Sequence, residues 1–191
     1  VARLSGKSVM IVTDPGLVKT GIVDQIQESL VSASLKVDRF DTVEPDPAFE
    51  TASKAAMAAK DCGADTILGL GGGSSLDIAK VASILVTNTG PVNSYFGIDL
   101  VPNPGLKTIL VPTTAGTGSE VTPIAILSDH GEKLKKGIVS PRLFPATAIL
   151  DPALTVGLPA RITAATGMDA LIHAIEAYTS VNANSFTDIF A

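Results

Sequence analysis

Three stretches of the chain carry residues whose types and spacing suit chemistry. The first is the run Gly71-Gly72-Gly73-Ser74-Ser75. Glycines let backbone N–H groups close on a phosphate, and a helix starting there adds the positive end of its dipole. The two serines add hydroxyl donors. The run fits G-x-G-x-x-G poorly, and a tight strand-to-helix turn with no ligand is the alternative reading. The second stretch is Pro112-Thr113-Thr114-Ala115-Gly116-Thr117-Gly118-Ser119-Glu120, which taken alone also reads as a solvated loop. The third is Asp169-Ala170-Leu171-Ile172-His173. A carboxylate and an imidazole at i and i+4 lie on one helical face, where both can reach one metal ion or simply pair with each other. Two ligands do not close a metal site. The other histidine, His130, falls in a polar turn and reads as exposed and inert.

These stretches need a scaffold, and the hydrophobic periodicity describes one. Over the first two thirds, short β-branched runs alternate with longer helical patterns, the signature of a Rossmann-like α/β fold with a parallel sheet and helices on both faces. Strands are expected over 8–13, 35–40, 66–70, 108–111 and 146–150. The continuous apolar run Thr66-Ile67-Leu68-Gly69-Leu70 marks a central strand buried on both faces. After a turn at Asp14-Pro15-Gly16, Leu17, Ile22, Val23, Ile26 and Leu30 repeat at helical spacing. A second helix is expected from Asp46-Pro47 to about Asp61, stopped by Gly63, and a third opens on the glycine run. Residues 88–105 read as a loop excursion. Residues 121–128 and 136–139 read as an antiparallel hairpin inserted beside the parallel strands, around Asp129-His130-Gly131-Glu132.

From Pro159 onward the strand signal stops, and Ile162, Ala165, Leu171, Ile172, Ile175 and Tyr178 follow a helical pattern. The chain therefore divides near residue 158 into an α/β domain, 1–158, and the first helices of an all-helical domain, 159–191. Strand, glycine run and helix follow one another directly. The second hydroxyl-rich loop also follows a strand, so both loops emerge at the carboxyl edge of the sheet, where open α/β sheets bind ligands. Two such loops suit a long ligand with phosphates and sugar hydroxyls.

Composition narrows the field further. The 191 residues, 46% of them hydrophobic, can bury one sizeable core and part of another. With 14 basic and 19 acidic residues the formal charge is −5, and no basic block exists to neutralise a nucleic-acid backbone. Cys62 is the only cysteine, which excludes an internal disulfide and suits a cytoplasmic setting. The apolar run near the amino end is far shorter than the roughly 20 residues of a membrane span and lacks the layout of a signal peptide. The chain opens on Val1 rather than Met and stops soon after an aliphatic and aromatic series, so missing sequence is expected at both ends. Helices after Pro159 would then expose apolar faces that favour self-association.

The strings GGGSSLDIAK, PTTAGTGSEVTPIAI, DPALT and ATGMDALIHAIEAYTS, in this order, closely resemble the iron-containing, or group III, alcohol dehydrogenase family. The resemblance covers essentially the whole chain. It implies an N-terminal α/β domain that binds NAD(P), a helical domain that supplies most metal ligands, a small alcohol or aldehyde as substrate, and a homo-oligomer. Carried over residue by residue, it gives Gly72, Gly73 and Ser74 the pyrophosphate, with Asp77 supporting that loop. Thr114 and Thr117 would contact the nucleotide, and Lys135 would reach it near the nicotinamide ribose. Asp14 matches an acidic residue that reads the adenosine ribose, and a carboxylate there favours NAD over NADP. Asp46 would also contact the cofactor, from a turn where the family often has Asn, so it brings an added negative charge to that contact. Asp169 and His173 match two of four ligands to Fe2+, sometimes Zn2+. No histidine follows His173, so the metal site is half built in this chain and weak turnover, or none, is expected of it. A glycerol-dehydrogenase-like or dehydroquinate-synthase-like enzyme, and a non-catalytic nucleotide-binding module, are the alternatives.

Overall fold

A computed structural model describes residues 6–191; the expectation about the amino end at Val1 lies outside the described residues. The order of elements begins β1 (Ser8–Val12), α1 (Pro15–Val18), α2 (Ile22–Ser32), β2 (Lys36–Phe40), α3 (Phe49–Asp61), β3 (Thr66–Gly71) and α4 (Gly73–Thr87). It continues with β4 (Gly97–Ile98), β5 (Lys107–Pro112), β6 (Ile124–Asp129), β7 (Leu134–Val139), β8 (Thr147–Ala148) and α5 (Ala160–Thr179).

Five strands form one parallel sheet in the order β2-β1-β3-β5-β8. Alternation along its central strands feeds two cores. Met10, Val12, Ile67 and Leu110 face α3 and α4, while Val9, Ile11, Leu68, Leu70 and Ile109 face α2. Burial on both faces is why these strands read as unbroken apolar runs. The chain steps from β1 outward to β2 and then returns past β1 to β3, so the winding reverses between β1 and β3. The carboxyl ends of that pair are the topological switch point, where doubly wound folds take ligands.

Local differences from the periodicity have identifiable causes. The helical pattern over 17–30 is two helices, because Gly21 takes φ of +80° between them and α2 starts afresh at Ile22. The helix expected from Asp46 starts at Phe49 instead. Asp46 sits at φ of +50°, and the Pro47 carbonyl accepts from the Ser128 amide at 2.8 Å, so this segment joins β6 before the helix begins. The excursion over 88–105 contains β4, which pairs with β7. The hairpin β6–β7 is antiparallel as expected, but with β4 it forms a separate three-stranded sheet rather than lying beside the parallel strands. Beyond Pro159 the described residues form no strand: α5 is followed by turns and a short 3-10 turn at Thr187–Ile189, and α5 buries none of its residues.

Candidate functional site

The glycine run forms the sharp link from β3 into α4. Gly71 adopts φ of +144°, a conformation that strains any L side chain, and a Cβ there would lie 2.8 Å from Ser75 Oγ and 3.2 Å from Asp14 Oδ2. Asp14, at the end of β1, and Gly71, at the end of β3, thus flank the switch point. Asp14 caps α1, accepting from the Leu17 amide at 3.0 Å through Oδ1. Gly72 is the N-cap of α4 and offers no side-chain cap, so the first amides of this 15-residue helix face outward without an internal acceptor. An anion suits that position.

The second loop lies over the first. Thr114 packs on Gly72, where a Cβ would be 3.4 Å from its Cγ2, and Thr117 on Gly73, where the distance would be 2.8 Å. A cleft of about 640 Å³ opens beside them. Gly73, Ser74, Asp77, Thr117, Asp46, Lys135, Asp169 and His173 all line it, so most residues singled out in the sequence meet in one place. Asp14, Gly72 and Thr114 are not on its wall; they stand beside it at the sheet edge. His130 is exposed and outside it.

Asp77 and Lys80 fasten the cleft walls together. Asp77 accepts from Ser119 Oγ at 2.5 Å and from the Ile126 amide at 2.9 Å, which ties α4 to the second loop and to β6. Lys80 is 0% exposed. Its Nζ lies 3.0 Å from Asp77 Oδ1 and donates to the Ser119 carbonyl at 2.9 Å and to the Ile124 carbonyl. Burial pushes the Lys80 ammonium below the usual lysine range, while the Asp77 charge works in the opposite direction. The hydrogen bonds of Asp77 thus go to the second loop and to β6, not to the glycine run. Sequence reasoning missed Lys80 and Ser119. The available signal was a lone charge three residues after Asp77 inside an otherwise apolar helix.

Asp169 and His173 share one face of α5, with Nδ1 and Oδ2 3.8 Å apart and both side chains about half exposed. Two ligands of a tetrahedral ion, each about 2.0–2.1 Å from it, stand roughly 3.4 Å apart. The donor types, imidazole and carboxylate, suit a divalent iron or zinc ion, while the pair stands somewhat wider than a tetrahedral ion would hold it. Among the described residues no group of three or more His, Cys, Asp or Glu side chains could hold a metal. The pair fits as part of a site.

The family model for iron-containing alcohol dehydrogenase matches residues 1–152, and the model for the C-terminal part of the Fe-containing alcohol dehydrogenase family matches 163–191. The chain belongs to the iron-containing alcohol dehydrogenase family. A sulfoacetaldehyde reductase of Bilophila wadsworthia is 46% identical over 188 residues, covering 98% of this chain and 49% of the relative. The solved 1,3-propanediol oxidoreductase superposes with a TM-score of 0.91 at 43% identity, covering 96% of this chain and 48% of its own. The sulfoacetaldehyde reductase of Bifidobacterium kashiwanohense, solved in complex with NAD+, gives a TM-score of 0.81 at 34% identity over 93% of this chain and 46% of its own. The chain spans about half the length of the curated relatives it matches. The family are oxidoreductases, with NAD-dependent members. No described helix is long and apolar enough to cross a membrane.

Proposed function

We propose that the chain is the cofactor-binding part of an NAD-dependent, metal-dependent alcohol dehydrogenase that interconverts a primary or secondary alcohol and its aldehyde or ketone. One observation carries the reading. The start of α4, suited to a phosphate, and the Asp169–His173 pair, suited to a metal, line the same cleft. In this reading Gly72, Gly73 and Ser74 hold the pyrophosphate, Thr114 and Thr117 flank it, and Asp14 accepts bonds from the free adenosine ribose hydroxyls. Its carboxylate repels a 2′-phosphate, which favours NAD over NADP.

Asp169 and His173 would contribute to holding Fe2+, or Zn2+ in its place, which would polarise the alcohol or carbonyl oxygen. The chain's own residues bind and orient. The Asp77–Lys80 network keeps the second loop at a fixed distance from the glycine run, so the two ends of a long ligand meet a preformed surface. No protein nucleophile is required, because the nicotinamide carries the hydride. A division of the chain near residue 158 belongs to the same reading, supported by the start of α5 at Ala160. A cytoplasmic setting is supported by the single cysteine. A homo-oligomer acting on a small alcohol or aldehyde completes it, by analogy with the family.

Calorimetric titration of the chain with NAD and NADP tests the cofactor half. NAD should bind more tightly, and Asp14→Asn should narrow the gap; equal binding of the two by the unmodified chain would sink the assignment of Asp14. Titration with Fe2+ under anaerobic conditions tests the metal half, with His173→Ala expected to weaken binding.

A further inference from the structure

Lys135 is the one lysine or arginine among the described residues lining the cleft, and it is already engaged. Its Nζ lies 2.6 Å from Asp46 Oδ1. The backbone beneath this pair is braced. Asp46 holds φ of +50°, uncommon for a residue with a side chain. Next to it, the Pro47 carbonyl takes the Ser128 amide at 2.8 Å, and Ala48 forms a parallel bridge with Ser128. Ser128 is in turn the cross-strand partner of Lys135. On the other side, Glu44 accepts from the Ala48 amide at 3.0 Å and from Thr51 Oγ1 at 2.6 Å. Three segments lie side by side, and the ion pair reaches over the middle one at the cleft rim. Both side chains are nonetheless mostly exposed, Lys135 at 62% and Asp46 at 71%. The backbone is fixed while the charged ends can exchange partners.

The charge balance of the cleft makes that exchange matter. Its other ionised lining groups are the carboxylates Asp77 and Asp169, and the buried Lys80 answers Asp77 from the core side. While Asp46 neutralises Lys135, no lysine or arginine on the described wall is left to meet an anionic ligand.

We propose that the Asp46–Lys135 pair is a latch on the cleft: a phosphate-bearing nucleotide competes with Asp46 for the Lys135 ammonium, so Asp46 sets nucleotide affinity by holding Lys135 back. The proposal rests on the nucleotide reading above. It assigns Asp46 a positioning role through Lys135. An exposed ion pair is weak, so the competition is modest, about two- to five-fold in affinity.

Calorimetric titration with NAD of the unmodified chain, Asp46→Asn, Asp46→Gly, Lys135→Met and the Asp46→Asn/Lys135→Met double variant tests it. Asn and Gly both tolerate the left-handed backbone, so loss of the carboxylate is separated from loss of the turn. Asp46→Asn and Asp46→Gly should tighten NAD binding by about two- to five-fold. Lys135→Met should weaken it, and Asp46→Asn should add nothing once Lys135 is gone. Unchanged or weaker binding in Asp46→Asn overturns the latch alone, as does an equal gain with and without Lys135. No NAD binding by any variant overturns the nucleotide reading and the latch together.

Discussion

Gly116 of the second loop lies directly against the backbone of Thr166 in α5. A Cβ on Gly116 would overlap the Thr166 carbonyl oxygen and come within 2.9 Å of the Thr166 Cβ. This contact seats the helix that carries Asp169 and His173 beside the loop that covers the glycine run. Backbone cannot yield as a flexible side chain can, so the missing side chain sets the approach of the two elements.

Gly116→Ala should therefore displace α5, at a cost of no more than about 1 kcal/mol because the helix buries none of its residues and can shift. Urea unfolding measures the loss, and hydrogen exchange should show faster opening of α5 amides. Gly167→Ala, one residue from Thr166 but with nothing within 4 Å of its Cβ position, is the control. It should be neutral or stabilising by up to about 1 kcal/mol, since alanine favours a helix over glycine.

Lys80→Met should cost about 3–5 kcal/mol, because it leaves Asp77, 14% exposed, without its cation and two carbonyls without their donor. A double-mutant cycle with Asp77→Asn should show coupling between the two sites by urea denaturation. Additive losses would mean that the two side chains act independently.

Glu44→Gln tests the brace under Asp46 through pH. Burial alone would raise the Glu44 carboxyl, but the bonds from Thr51 and Ala48 outweigh it and hold it below its ordinary value of 4.5. A depressed carboxyl contributes stability above its unfolded pKa and loses it as pH falls through the folded one. The gap in stability between the unmodified chain and Glu44→Gln should thus be full above about pH 5 and close as pH falls further. A gap that is constant with pH would mean that the Glu44 charge contributes nothing.

The apolar side chains of α5, among them Leu171 at 52% exposed and Tyr178 at 65%, should make the isolated chain associate as concentration rises. Light scattering checks this, and a monomer at high concentration would contradict it.

The sequence by itself determined the local elements and the chemical types at the site. Strands buried on both faces are unbroken apolar runs, and a glycine run between a strand and a helix can be read from residue order alone. That Asp169 and His173 share one helical face follows from their spacing, which needs no tertiary information. Only the tertiary structure decided how these parts meet. That Asp14 and Gly71 flank the switch point depends on strand order, and periodicity carries no information on which strands are neighbours. Partners far apart in sequence, such as Asp46 with Lys135, Asp77 with Ser119 and Gly116 with Thr166, are chosen by packing. Asp46 shows the limit most directly. Asp-Pro suits a helix start locally, yet the pairing of Pro47 and Ala48 with Ser128 outweighs that preference, because long-range backbone hydrogen bonds satisfy groups that the local signal would have placed in a helix.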